Sequence, residues 1–325
     1  MMRFLNQVGA PTQQFLLQTK LPVAVLDEPE ALMSLHQGFS FVELAARREG
    51  IELLSVLASQ QAQIADFGLL GKVVSQSLTG YDLLQTIVAL LTKTYSSGVR
   101  VWLTQDSDRV WFNHQYVVPG NLINQQFQYY ACLLHLRVMQ LIIGSEWYPT
   151  DLHFQAVKLQ GLSEIDIFSA ARVRFNQPNN AIGISKSLLY LPLKQRGNDH
   201  LSNSQDLYEL LRASAPAINL VGALRQFVQF QLQTGYIQIE VTAEAAGISV
   251  RSIQRRLTEE GLSYSRLVDQ VRFKLAVDRL KEPTMQLEDI AFELGYSKPG
   301  NFTRAFQRWA GVTPSEYRYL QLPQL

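Results

Sequence analysis

The chain is poor in the residues that mark several protein classes. It has a single cysteine, Cys132, so no intramolecular disulfide can form and a reducing cytoplasm is expected. No stretch approaches the roughly 18 apolar residues of a membrane span; the run Ala131–Ile143 is broken by His135 and Arg137. The N-terminal residues Met1 to Gln7 lack an apolar core segment, so no signal peptide is expected. Histidines 36, 114, 135, 153 and 200 are scattered, with no spacing that sets two on one element as metal ligands. A phosphate-cradling glycine loop is missing too. Asp66-Phe67-Gly68 matches a kinase tripeptide without the accompanying Gly-rich and His-Arg-Asp segments. Glu43, Glu49 and Glu52 read as solvated acids, and Cys132, inside the apolar Tyr129–Leu134 stretch, reads as a packed core residue. No constellation points to an enzyme, a cofactor or a metal.

Charge of one sign is lacking as well: 29 basic against 28 acidic side chains leave +1. The distribution is informative. Arg251, Arg255 and Arg256 lie in an acid-free segment, Gly247–Thr258, and Lys298, Arg304 and Arg308 in another, Leu294–Ser315. The acids collect upstream as Glu240 with Glu244, and as Glu288, Asp289 and Glu293. Segregation of this kind can face a polyanion while the sum stays near zero.

With 325 residues, 47% hydrophobic and 18% charged, the chain suits two ordinary globular domains. Residues 1–195 read as an α+β domain with an antiparallel sheet. Helical spacing runs over Leu69–Leu91 and Leu122–Ile143, the latter also a candidate dimer helix, though core packing explains it equally well. β-Rich runs occur at Val99–Thr104, Arg109–Asn113, Leu152–Val157, Val173–Phe175 and Ala181–Ile184, with Asp106-Ser107-Asp108 as a hairpin turn. Residues 196–215 begin with a polar, turn-rich segment and are expected to form a linker. Residues 216–325 read as all-helical, with Pro216 in the first turn of a helix over Ala217–Gln233.

An internal repeat carries the functional reading. Ile239, Ala243, Gly247 and Ser249 recur 48 positions later as Leu287, Ala291, Gly295 and Ser297. Past a one-residue insertion, Ile253, Arg255 and Leu257 recur as Phe302, Arg304 and Phe306; past a second, Gly261 and Ser263 recur as Gly311 and Thr313. Each copy has the makings of a helix-turn-helix. A small alanine permits close helix crossing, and Gly247 or Gly295 supplies a left-handed residue that ends the first helix. Ile248 or Tyr296 plugs the corner, and Ser249 or Ser297 caps the second helix. Gln238 and Gln286 stand where a stronger cap is usual. Tyr264, Leu267, Val268, Val271, Leu275 and Leu280 form the stripe of a connecting helix capped by Ser263. Outward faces then present Arg251, Ser252, Gln254 and Arg255, and Ser297, Lys298, Asn301 and Arg304. Arginine and glutamine can pair in bidentate fashion with guanine and adenine edges in the major groove. Two such helices on one connector can enter successive grooves, roughly 34 Å apart.

The segment Ala246–Leu257 with Glu260–Tyr264 resembles the first helix-turn-helix of AraC/XylS-type regulators. The stretch from Ile290 through Asn301-Phe302, Arg304-Ala305-Phe306 and Thr313-Pro314 to Arg318 is similar to that family's signature. The resemblance implies base reading by Arg251, Gln254, Arg255 and Arg304, with Asn301 where serine or threonine is commoner. Asp66–Gly71, Arg172–Phe175 and Gln177-Pro178-Asn180-Ala181 resemble the effector-binding and dimerisation domain of regulators of the ornithine-utilisation type. What this implies is a cytoplasmic transcription regulator, an activator by the family's common mode. Its partners would be operator or promoter DNA, RNA polymerase, a small-molecule effector and, as an open alternative, a second copy. The rival reading is a constitutive dimeric DNA-binding protein whose N-terminal domain holds no ligand.

Overall fold

The structure, a computed structural model, describes residues 1–26, 28, 30–92, 98–117, 125–193, 204–234 and 237–321. It divides into two compact units, Met1–Pro216 and Ala217–Leu325.

The first unit opens with helices α1 (Met2–Gln7), α2 (Thr12–Gln18), α3 (Leu35–Glu49), α4 (Leu54–Gln60), α5 (Gly68–Val74) and α6 (Gly80–Leu90). Strands β1 (Val99–Gln105) and β2 (Arg109–Tyr116) follow, then α7 (Gln125–Ile143), β3 (Asp151–His153), α8 (Asp166–Ala170), β4 (Arg172–Arg174), β5 (Asn180–Ser185), α9 (Lys186–Leu189) and α10 (Ser204–Ser214). The five strands make one sheet in the order β1-β2-β5-β3-β4, antiparallel except for the β3–β4 pair. The β1–β2 turn is held by Asp106, whose Oδ1 accepts from the Asp108 and Arg109 amides at 3.0 and 2.8 Å.

Alternation decides the faces. Val110 and Phe112 of β2 and Ile182 and Ile184 of β5 point into one core with Leu83, Leu84 and Ile87 of α6 and Cys132, Leu136 and Met139 of α7. A second core gathers Leu5, Phe15, Phe39, Val42 and Leu54 from α1–α4 against Phe127 and Ala131 at the start of α7. Helix α7 therefore packs in both cores, in line with the core-packing reading of its apolar spacing. The described part of the expected Leu122–Ile143 helix begins at Gln125, residues 122–124 lying outside the described residues.

The helical stretch expected over Leu69–Leu91 is two helices. Thr79 ends the continuity, its side chain accepting from the Asp82 amide at 3.1 Å as the N-cap of α6. The Leu152–Val157 run shortens to β3, because the Gln155 amide is taken by the Asn180 side chain at 2.9 Å and leaves the ladder. In the stretch expected as a linker, residues 196–203 lie outside the described residues. Ser204–Ser214 is α10, and its Leu207 and Leu211, one turn apart, are buried in the first unit's core.

Among the described residues the regular elements of the second unit are all helices: α11 (Leu220–Thr234), α12 (Ile239–Ala245), α13 (Val250–Glu259), α14 (Tyr264–Leu280), α15 (Leu287–Glu293), α16 (Pro299–Ala310) and α17 (Pro314–Gln321). Pro216 does not sit in the first turn of α11. That helix starts at Leu220, where the Asn219 side chain accepts from the Gly222 amide at 2.8 Å and so supplies the start signal.

Candidate nucleic-acid interface

The repeat folds as two helix-turn-helix units, α12–α13 and α15–α16. In both, the corner glycine adopts the left-handed conformation, with φ of 65° at Gly247 and 77° at Gly295. The corners close with the same bonds: the Ile248 amide donates to the Ala243 carbonyl at 3.1 Å, and the Tyr296 amide to that of Ala291 at 2.9 Å.

The caps differ. Ser249 accepts from the Ser252 amide at 3.2 Å, capping α13 as its sequence indicates. Ser297 does not cap α16; Lys298 occupies the N-cap in extended conformation and Pro299 is the first helical residue. The reason lies in Pro299, which disfavours helical backbone in the residue before it and supplies a preset φ for the first turn. Lys298 thus takes the place that Ser249 holds in the first copy, and Ser297 is the residue without a counterpart there. Gln238 and Gln286 are the N-caps of α12 and α15, with no side-chain capping bond.

Each second helix buries one face completely. Ile253 and Leu257 of α13 are fully buried with Leu224, Val228 and Leu232 of α11 and Leu267, Val268 and Val271 of α14. Phe302 and Phe306 of α16 are fully buried with Ile290 and Ala291 of α15 and Ala276 and Leu280 of α14. Trp309 packs at the edge of this second core. The two halves of α14 therefore serve two different cores, Leu275 touching both. At about 25 cal/mol per Å², four fully buried side chains of this size contribute several kcal/mol, enough to fix which faces stay outside.

Further bonds tie each motif to α14. In the first, Thr242 and Tyr264 hydroxyls meet at 2.6 Å. In the second, Arg272 Nε donates to the Leu294 carbonyl at 3.1 Å while its guanidinium lies 4.6 Å from the Tyr296 ring centre. Arg308 of α16 reaches Asp269 of α14 at 3.2 Å.

The faces left outside carry the residues singled out by the sequence. Arg251, Gln254 and Arg255 on α13 are exposed and Ser252 is half-buried, its hydroxyl 2.9 Å from that of Ser249. Ser297, Lys298, Asn301 and Arg304 are exposed at and along α16. Arg255 has only a loose ion pair, 3.8 Å to Glu259 on the same helix, whereas Arg304 Nη2 donates to Asn301 Oδ1 at 2.7 Å. The structure adds exposed Arg256 and Gln307 to these faces. Their signal was available: both belong to the solvent side of the same helical periodicity.

In the first unit, Cys132 is 1% exposed and burial pushes its thiol up to about 12, which suits packing rather than nucleophilic chemistry. His114 and His135, which no sequence spacing linked, meet across the β2–α7 contact with ring centres 5.0 Å apart. Burial lowers both, His135 to about 4 and His114 well below the ordinary range, the latter also repelled by His135. Among the described residues no group of three or more His, Cys, Asp or Glu is placed to hold a metal ion, and no helix is long and apolar enough to cross a membrane.

A double helix-turn-helix with both second helices turned outward defines a DNA-binding transcription regulator, not an enzyme. Residues 242–319 match the model of a helix-turn-helix domain, and residues 9–193, more than half the chain, match that of the arabinose-binding N-terminal domain of AraC transcription regulators. The chain belongs to the AraC family. It is 24% identical over 327 residues to the HTH-type transcriptional regulator VirS of Mycobacterium tuberculosis, covering 97% of this chain and 92% of VirS. It is 39% identical over 80 residues to the ornithine utilization regulator of Pseudomonas aeruginosa, covering 25% of this chain and 24% of that protein. The solved structure of the transcriptional regulator CdpR from Pseudomonas aeruginosa matches over 95% of this chain and 96% of CdpR, with 18% identity and a TM-score of 0.42.

Proposed function

We propose that this regulator reads a specific operator with α13 and α16 together and activates transcription under the control of a small-molecule effector. Arg251, Ser252, Gln254 and Arg255 face one major groove and Ser297, Lys298, Asn301 and Arg304 the next. The supporting observation is the pairing of two fully sealed apolar faces with two exposed faces that carry Arg251, Gln254 and Arg255 and Lys298, Asn301 and Arg304, joined by one connecting helix. Operator or promoter DNA is then the direct partner, RNA polymerase the partner in activation, and the cytoplasm the setting. In this reading residues 1–195, with α10 (Ser204–Ser214) packed on them, form the effector-binding and dimerisation domain, and 216–325 form the DNA reader. Mapping of bound genomic sites, followed by titration of one such duplex against scrambled sequence, tests it; equal affinity for both would overturn it.

The rival reading is a constitutive DNA-binding form. Under effector control, only a ligand that binds one arrangement of the protein better than the other can shift the balance. Operator affinity of the purified protein with no small molecule added separates the two. Binding already at full strength, unchanged by cell metabolite extract, supports the constitutive form.

A further inference from the structure

The second reading motif is fastened to α14 along one stripe. Positions 269, 272, 276 and 279 are spaced by three and four and so share a helix face. Asp269 pairs with Arg308 of α16 at 3.2 Å, and Arg279 Nε donates to Glu293 Oε2 at the end of α15 at 2.8 Å. Both pairs reach well into solvent, where ion pairs contribute little. Between them Ala276 is fully buried in the second core. Arg272 differs in kind. It is half-buried, its Nε donates at 3.1 Å to the carbonyl of Leu294, the C-cap of α15, and its guanidinium lies against the Tyr296 ring. A charged donor on a helix-end carbonyl, backed by a ring, holds far better than an exposed pair. The same corner faces the first motif. A Cβ on Gly295 would lie 3.6 Å from Arg272 Nη2, 3.6 Å from Leu232 Cδ2 and 3.7 Å from Ile237 Cδ1. Leu232, in the last turn of α11, belongs to the first core, and Ile237, just before α12, packs on it. The corner of one motif is thus seated against the other, with Arg272 as the polar group at the seat.

We propose that Arg272 is a positioning residue: it sets the separation and phase of α13 and α16, and through them the spacing between half-sites that the protein accepts. This rests on the reading that the two helices enter successive grooves. Apolar burial of Phe302, Phe306 and Ala276 decides which face of the second motif turns inward, but such contact is non-directional and leaves its tilt on α14 loosely set. The directional hydrogen bond and ring contact of Arg272 fix that tilt at the point where the two motifs meet. One base pair added between half-sites moves the second groove by about 3.4 Å and turns it by about 35°. A motif held at its corner cannot follow, so either the duplex deforms or contacts are lost. A motif freed at its corner swings after the groove. Rigidity at Arg272 is thereby read out as discrimination against the wrong spacing, without a contact between Arg272 and DNA.

Full-length protein tests this on a duplex taken from the genomic map and remade with one base pair added or removed between the positions read by Arg255 and Arg304. Arg272→Met keeps an unbranched stem against Tyr296 and removes the donor; Arg272→Lys keeps the charge without the planar fork. Native protein is expected to prefer the original spacing by about tenfold or more, and Arg272→Met by no more than about threefold, with Arg272→Lys between them. Base preference within each half-site should stay as in the native protein. A merely structural defect would lower the active fraction alike on all three duplexes and leave the ratio unmoved. An unchanged ratio in folded Arg272→Met, or a loss of base preference in the α16 half-site, would overturn the proposal alone. Native protein indifferent to spacing would overturn the two-groove reading and the proposal with it. Should Arg272→Met misfold by circular dichroism, Arg272→Lys decides, a native ratio there counting against the proposal.

Discussion

Arg304 Nη2 donates to Asn301 Oδ1 across 2.7 Å, one turn apart on the exposed side of α16. An arginine that is to meet a base edge loses side-chain freedom when it binds, about 0.5–1.5 kcal/mol. Asn301 removes part of that loss in advance. Arg304→Ala is expected to weaken operator binding by about 1–3 kcal/mol, and Asn301→Ala by about 0.5–1.5 kcal/mol. If Asn301 acts by orienting Arg304, the double variant should bind no worse than Arg304→Ala alone, as measured by anisotropy titration of all four proteins. Additive losses would instead give Asn301 its own contact with DNA.

For Arg255 the expectation is different, because its 3.8 Å pair with Glu259 is loose and both side chains are exposed. Arg255→Ala should cost about 1–3 kcal/mol on the cognate site and relax preference at one base pair. Uniform weakening on every sequence would make it a phosphate contact.

The corner glycines bear on stability rather than recognition. A Cβ at Gly295 would lie 3.6 Å from the nearest atoms, an ordinary contact, so backbone conformation alone penalises a side chain at φ 77°. Gly295→Ala should therefore destabilise the second unit by about 1–2 kcal/mol, visible in denaturant melts. Ser249→Ala, which removes the α13 cap, should cost about 0.5–2 kcal/mol. Ser297→Ala should cost much less, since α16 is capped at Lys298 without a side-chain bond.

That last contrast shows where sequence reasoning stops. Gly247 and Gly295 were legible because the left-handed turn admits few other residues, and Ile253, Leu257, Phe302 and Phe306 because helical periodicity fixes their face. Ser249 and Ser297 are aligned in the repeat, yet Pro299 moves the cap to Lys298. The two-helix form of 68–90 depended on whether Thr79 or helix continuity would win, which apolar spacing does not decide. Leu207 and Leu211 sit in a stretch whose polar beginning masked a helix that packs on the first unit. His114 and His135 meet only because α7 lies on β2, a tertiary fact with no local pattern.

This histidine pair predicts a pH dependence. Burial holds both rings neutral in the fold, with His135 lowered to about 4 and His114 well below its ordinary value. The unfolded chain takes up protons at about pH 6.5. It therefore binds more protons than the fold between these limits, and stability, complete above about 6.5, falls as the pH drops towards 4. Urea melts of the full chain at pH 7.5 and 5 should show this loss. His135→Leu should reduce it, while an unchanged pH slope would place the acid sensitivity elsewhere.

The central claim is that α13 and α16 lie in successive major grooves of one duplex. Its most direct measurement is a base-by-base affinity profile of the operator for the native protein, Arg255→Ala and Arg304→Ala. The account predicts that each variant loses preference at its own position, and that the two positions lie about one helical turn, roughly 10 base pairs, apart. Loss at a single shared position, or no change in preference at any position with either variant, would contradict it.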